Sequence, residues 1–488
     1  MPEEGDILRL AITGLAHDGS GVGRFDGQVV FIPGALPSEQ VEIKITEQKK
    51  KLARGRLVSV TKASPDRVEP PCPHYHHCGG CQLQHLNYGA QLEFKRNTVL
   101  QAFRRLGNLP DVPKVHPVLA MDNPWHYRNK AQFHVAEIEG RLRLGYYKPG
   151  THQLSPVKSC HLLPRPFISL VKILEDIFEG YELQPYNRDQ NTGLLKHVVI
   201  KRSEATGETM VILVTNSPSL PRGRELAAAI QAKDPFVISV VQNINPKDRT
   251  ILGKEFRLLA GARRIRERLG SLEFLLSPPA FFQVNTRQAE ALYQKSTEYA
   301  CLSGEEIVWD LYCGTGTLTL FLAQKAAKAY GIETVPEAVE NARANARHNK
   351  IPNAEFFAGD VEKVLPDLTA QQNNPDVIVL DPPRQGATKK VLETVVGVGP
   401  RAIVYVSCDP ATLARDLSIL SQLGYQVREV QPVDMFPQTY ICGNGYPVKQ
   451  INLRFQDFRI QKNVILSTGC PPKYYLADRF YYIGSISF

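Results

Sequence analysis

From Phe282 onward short apolar runs alternate strictly with helix-length stretches. Residues 306–311, 329–333, 354–360, 376–380 and 402–406 read as strands, and 318–328 as the first helix between them. Parallel strands covered on both faces are apolar throughout, and each needs a helical crossover to reach the next. This half of the chain can therefore form little but a doubly wound parallel α/β sheet. Such sheets bind ligands in the crevice beyond the carboxyl ends of their strands, so the residues at those ends are where chemistry is to be sought.

The rest divides by pattern. Residues 7–12, 28–32, 40–46 and 52–60 are short β-rich runs between turns such as Asp18-Gly19-Ser20-Gly21 and Pro33-Gly34, the pattern of a small OB-like β-barrel over 1–64. Lys49, Lys50, Lys51, Arg54 and Arg56 fall on its later hairpin, as a phosphate-binding edge or as a solvated charged turn. Ala63-Ser64-Pro65-Asp66 and Pro70-Pro71 read as a linker. Strands at 131–135, 142–147, 195–202, 209–214 and 237–243, with helices near 168–177 and 222–232, make 65–270 an α+β middle domain, of which part of 82–118 is expected to pack on the catalytic sheet at 271–440.

The chain has 488 residues, too many for one core, and 43% hydrophobic content, enough for several. Its net charge of +9 has the sign that attracts phosphate backbones. No apolar stretch approaches membrane-spanning length and the start lacks a charged-then-apolar signal, so a cytoplasmic chain, monomeric and away from membranes, is expected. Nine cysteines in such a chain point to metal binding or catalysis instead of disulfides.

Asp310-Leu311-Tyr312-Cys313-Gly314-Thr315-Gly316 joins the first strand to its helix, and its glycines allow a sharp turn and close approach to a ligand. Glu333 ends the next strand, where an acid can accept hydrogen bonds from a ribose diol, and Asp360 ends the third, where it can receive an adenine amine. Without a third glycine or a Walker lysine, S-adenosylmethionine fits better than NAD or ATP. Asp381-Pro382-Pro383-Arg384 follows the fourth strand, its prolines stiffening a loop that can hold a polar group against a flat base. Cys408, in Tyr405-Val406-Ser407-Cys408-Asp409-Pro410, follows the fifth. Near Arg384 and a helix N-terminus at Ala411-Thr412, its thiol is expected to ionise readily and attack; the bland alternative is inert core packing, for which Ser407-Cys408-Asp409 is a polar setting.

Asp381-Pro382-Pro383-Arg384-Gln385-Gly386, Tyr405 to Thr412 and Met435-Phe436-Pro437-Gln438-Thr439 together resemble the RNA (uracil-5-)-methyltransferase family. The resemblance covers nearly the whole chain, since the family has a TRAM-type barrel, a cysteine cluster and a Rossmann-like class I methyltransferase sheet in this order. It implies addition of Cys408 to uracil C6, methyl transfer to C5, loss of the C5 proton to a base and release of the thiol. It also implies that Gln283, Tyr312, Glu333 and Asp381 frame the S-adenosylmethionine donor. Cytosine C5 methylation uses the same thiol chemistry, and a non-catalytic RNA-binding factor is the alternative from another class.

Cys72, Cys78 and Cys81 stand close in sequence, with Cys160 as the fourth thiol; four thiolates suit zinc or a [4Fe-4S] cluster, and spacing alone does not separate them. His74, His76 and His77 in the same loop keep zinc open. Resemblance to the cluster-bearing branch implies iron-sulfur, and 23S rRNA over tRNA as substrate. A radical enzyme would need a tighter cysteine spacing than this chain has.

The family motif continues from Phe-Pro-Gln-Thr to a histidine, an apolar residue and the glutamate that serves as base, whereas this chain runs Thr439-Tyr440-Ile441-Cys442-Gly443. A one-base shift across Cys442 to Val448 permits a string containing that glutamate. Residues 441–488 are therefore read as a frameshifted, poorly ordered tail, from a sequencing error or a real mutation; a real one is expected to cost the sheet its last strand and leave 452–488 poorly ordered.

Overall fold

The computed structural model describes residues 3–247, 250–370, 374–440 and, by backbone alone, Ile451–Phe455. Strands β1 (Ile7–Leu15), β2 (Gly21–Phe25), β3 (Gln28–Ile32), β4 (Gln40–Gln48) and β5 (Leu52–Lys62) close into a barrel in the order β1-β2-β3-β5-β4. Alternate residues point inward, so Leu10, Ile12, Val30, Ile32, Val41, Ile43 and Ile45 fill it. In the basic hairpin Lys49 and Arg54 lie 2.6 and 3.4 Å from Glu47, and all five cations are exposed. The expected linker is no free tether. Arg67 reaches back to the buried Glu39 at 2.5 and 2.8 Å, while the Ser64 amide also donates to it, because a carboxylate sealed in a barrel wall must find donors.

Helix α1 (Tyr88–Leu106) and the two-residue strand β6 (Lys114–Val115) precede a seven-stranded sheet. That sheet runs through β7 (Lys130–Ile138), β8 (Arg141–Tyr147), β9 (Leu154–Pro156), α2 (Arg165–Gly180), β10 (Leu195–Arg202), β11 (Thr209–Thr215), α3 (Gly223–Lys233), β12 (Val237–Ile244) and β13 (Glu255–Gly261), in the order β13-β12-β11-β10-β7-β8-β9. One face packs Phe133, Val198 and Ile200 with Leu170 and Leu174 of α2 and Leu226 of α3. A hairpin, β14 (Ile265–Leu269) and β15 (Leu272–Leu276), then leads into α4 (Thr286–Ala300).

The catalytic half is β16 (Ile307–Leu311), α5 (Thr317–Ala323), β17 (Lys328–Glu333), α6 (Pro336–His348), β18 (Ala354–Ala358), α7 (Val361–Ala370), β19 (Val377–Leu380), α8 (Lys389–Val398), β20 (Ala402–Tyr405), α9 (Pro410–Gln422), β21 (Tyr425–Val430) and β22 (Ile451–Phe455). The order β18-β17-β16-β19-β20-β22-β21-β6 is parallel from β18 to β20, with β22 antiparallel to both neighbours. Val308, Val377, Val379 and Val404 pack on one face, and Trp309, Ile378, Leu380 and Tyr405 on the other, which is why these strands are apolar throughout. Chain direction reverses about β16: the next two strands lie to one side, and β19 and β20 to the other. The crevice between β16 and β19 is thus a topological switch point.

Two expectations are corrected. The helix after the glycine loop ends at Ala323 instead of Lys328, because the Asn353 amide takes the carbonyls of Ala323 and Ala326 at 2.8 and 3.0 Å and so caps the turn. The last strand is not lost: the backbone of Ile451–Phe455 pairs with β20 and β21, since a slot between two strands asks only for backbone donors and acceptors. The rest of the 441–488 tail reading lies outside the described residues.

Candidate active site

Four of the anticipated residues sit at adjacent strand ends: Tyr312 follows β16, Glu333 closes β17, Asp381 follows β19 and Cys408 lies three residues past β20. Tyr312 adopts a left-handed backbone at φ 68°, and its amide donates to Ile332 O at 2.9 Å, so the glycine loop is tied to β17 as it leaves the sheet. Glu333 accepts from the amides of Gly314 at 3.1 Å and Val335 at 2.9 Å and from the Thr334 hydroxyl at 3.0 Å. The lone pairs left over can meet a diol. A Cβ on Gly314 would meet nothing within 4 Å, so the loop has open space on its ligand side, whereas at Gly316 (φ 79°) it would come within 2.8 Å of Phe356. Asp360 is exposed at the start of α7, close enough to Tyr312 that burial first, and then the carboxylates of Asp360, Glu362 and Asp416, push that phenol up to about 12.

Gln283 arrives from the segment before α4 and is buried. Its carbonyl accepts from Asn129 Nδ2 at 2.8 Å, and its side chain lies near the Tyr293 hydroxyl, which is 3.2 Å from Thr317 Oγ1 and near Asp381. The structure thus sets Tyr312, Glu333 and Asp381 at neighbouring strand ends, with Gln283 brought near Asp381 by way of Tyr293. Asp310 is fully buried; Thr319 donates to one oxygen at 2.6 Å and the other has no partner. Burial, and then Asp381 and Glu333, raise its carboxyl to about 7.

Cys408 is only 7% exposed and Ser407 3%, so the polar setting expected from sequence is an enclosed one. The two features expected near the thiol, Arg384 and the start of α9, also meet its neighbour. Asp409 caps α9 through the amides of Ala411 and Thr412 at 2.8 and 3.1 Å, and Arg384 lies 3.8 Å from its carboxylate. A carboxylate one residue from a helix start is the stronger acceptor for both.

Several residues escaped the sequence reading because their roles exist only across long separations. Lys201 of β10, buried on the middle sheet, donates to the carbonyls of Ser277, Pro278 and Ala280 at 3.2, 2.7 and 2.8 Å, fixing the segment that leads to Gln283. Asn345 of α6 donates to Thr315 O at 3.1 Å. Lys95 of α1 donates to Asp434 at 2.5 Å and Phe436 O at 3.0 Å, while Gln91 and Gln438 exchange hydrogen bonds at 3.0 Å, so α1 holds the Met435–Thr439 loop. The available signal was the pair Gln91 and Lys95 at the same helical spacing as the apolar Val99 and Phe103.

Cys72, Cys78, Cys81 and Cys160 line one cavity of about 50 Å³ with His74 and Arg128. Burial raises the thiols of Cys78 and Cys160 and pushes Cys81 up to about 12. The Arg128 Nε is buried without a partner at this wall, which suits a negatively charged occupant. The thiols ring a space without converging on a point: among the described residues no three His, Cys, Asp or Glu side chains are placed to hold a single metal ion. No described helix is long and apolar enough to cross a membrane.

Residues 3–58 match the TRAM domain and residues 302–435 a methyltransferase domain. The chain is 44% identical to an RNA methyltransferase of Clostridium tetani over 90% of its own length and 95% of that protein. It is equally identical to one of Bacillus cereus, with the same coverage. The solved tRNA (uracil-54, C5)-methyltransferase of Pyrococcus abyssi, in complex with S-adenosyl-L-homocysteine, superposes with a TM-score of 0.71 at 26% identity, over 92% of this chain and 99% of that one. With its barrel, its class I sheet and these relatives, the chain belongs to the RNA (uracil-5-)-methyltransferase family.

Proposed function

We propose that the chain methylates C5 of a uracil in RNA, with S-adenosylmethionine as donor and Cys408 as nucleophile. One observation carries this: the thiol and three donor-framing residues occupy neighbouring strand ends round the switch point of one parallel sheet. Glu333 would hold the ribose diol, Asp360 the adenine amine, and Gln283, Tyr312 and Asp381 the remainder, in space that Gly314 leaves open. Cys408 Sγ bonds to C6, which makes C5 electron-rich; C5 takes the methyl group as the donor's sulfur–carbon bond breaks. A base removes the C5 proton, the C5–C6 double bond re-forms and the thiolate leaves.

No glutamate follows Thr439 to serve as that base. Where it is missing, turnover falls by about 10²–10⁴-fold and the RNA adduct accumulates. Tritium release from RNA labelled at uracil C5 tests the reading, together with a denaturing gel for the adduct; Cys408→Ser abolishes both signals. Release unchanged in that variant refutes the nucleophile, and release from labelled cytosine instead refutes the base.

By the resemblance, a [4Fe-4S] cluster would be held by Cys72, Cys78, Cys81 and Cys160, which line one cavity with Arg128 beside them; zinc is the alternative for the same four thiols. A cluster would brace the middle domain, with no redox step. It favours 23S rRNA as substrate by resemblance, while the likeness to the tRNA enzyme favours tRNA as the second reading. Mapping 5-methyluridine in RNA from a strain lacking the gene separates them.

A further inference from the structure

Four rings stand in a row on the face of the middle sheet turned away from α2 and α3. His134 of β7 and Tyr147 of β8 stack at 3.8 Å and 22°; His152 meets Tyr147 edge-on at 5.4 Å, and His197 of β10 meets His134 edge-on at 4.9 Å. His134 and His197 are direct cross-strand partners, and Phe133 and Val198 beside them point the other way, into the helix-covered core. His134, Tyr147 and His197 are half-buried and His152 is exposed.

Two features place the row with respect to the chemistry. Along the same strands the pair Lys201 and Lys130 lies four residues on, on the same face by strand alternation, and Lys201 grips the segment leading to Gln283. The row therefore lies about 13 Å along the strands from the lysine that holds the segment leading to Gln283, the proposed donor loop, a distance that a few nucleotides of single strand cover. The Gly79 amide donates to Tyr147 O at 3.2 Å, so the loop between Cys78 and Cys81 is tied to the backbone that carries this ring.

We propose that this row is a stacking platform for unpaired nucleotides flanking the modified residue; the inference rests on the RNA-methylating reading of the site. Single-stranded RNA is recognised by flat rings that take any base on their faces, next to cations that follow the backbone. Lys148 adjoins Tyr147 and its ammonium donates to the neutral Gln153 at 3.4 Å, Lys158 is exposed beyond β9, and the chain carries a net charge of +9. Burial, and then His152, push His134 down to about 4, so at neutral pH its ring is an uncharged stacking surface.

The test is fluorescence anisotropy of the full chain with a labelled random-sequence single-stranded oligoribonucleotide. Tyr147→Leu, which keeps bulk but removes the aromatic face, is expected to weaken binding about 5- to 150-fold, with Tyr147→Phe close to the parent. His152→Ala weakens it in the same direction and, being exposed, decides the matter if Tyr147→Leu lowers the melting temperature. Affinity for S-adenosylhomocysteine stays unchanged in all three. Parental RNA affinity in both Tyr147→Leu and His152→Ala overturns the proposal, as does equal weakening by Tyr147→Leu and Tyr147→Phe. Self-association in sedimentation that His152→Ala abolishes assigns the row to a second copy and also overturns it. Because the readout is binding, failure of tritium release by the parent would count against the uracil chemistry and leave this comparison intact.

Discussion

Replacing Lys95 by Met should cost about 3–5 kcal/mol of folding stability, the range for removing one partner of a buried ion pair. The structure supports that magnitude. The two side chains are 4% and 2% exposed, so neither charge is screened by water. Among the described residues the Asp434 carboxylate would keep the Tyr88 hydroxyl at 2.9 Å on Oδ2 and lose its donor on Oδ1, while Phe436 O would lose its 3.0 Å charged donor and keep the Thr439 hydroxyl at 2.9 Å. A lost charged hydrogen bond contributes about 1.5–3 kcal/mol and an orphaned buried acceptor about 1–3. Asp434→Leu should cost a similar amount for the mirror-image reason. The double variant, burying no charge, should lie within about 2 kcal/mol of the parent, a coupling of at least about 4 kcal/mol. Urea unfolding of the four proteins, with unchanged slope, measures the cycle. Additive losses, with coupling below about 0.5 kcal/mol, would refute the claim that α1 holds the Met435–Thr439 loop through this pair.

Lys201→Met should weaken S-adenosylhomocysteine binding by about tenfold or more in calorimetry while leaving affinity for single-stranded RNA near the parent, because the three carbonyls it frees belong to the donor loop; equal loss of both affinities would mean general unfolding. The Glu39 carboxyl is subject to burial, which raises it, but donors from Arg67, Leu36 and Ser64 together hold it below its ordinary value. Its contribution to stability is thus present above pH 4.5 and lost as pH falls through the depressed value, so Glu39→Gln should flatten the acid limb of a stability–pH curve below about pH 4.5, and an unaltered limb would count against it. Protein purified without oxygen should contain iron and acid-labile sulfide, and Cys81→Ser should lose both along with thermal stability; zinc in place of iron would point to the other ligand chemistry.

The sheet was legible from sequence because strands covered on both faces must be apolar throughout, and the placement of Glu333, Asp381 and Cys408 at neighbouring strand ends was legible because a parallel sheet sets the last residues of its strands along one edge. The barrel followed from alternation, and the four cysteines from residue type. Tertiary structure alone decided the rest. That Arg384 and the start of α9 turn to Asp409, that Lys201 grips the donor loop, that Arg128 borders the thiols and that four rings line up across β7, β8 and β10 all depend on contacts between residues distant in sequence. A local pattern records which face a residue occupies; the identity of what meets that face is set by packing, where each buried charge and donor takes the partner that geometry brings within about 3 Å.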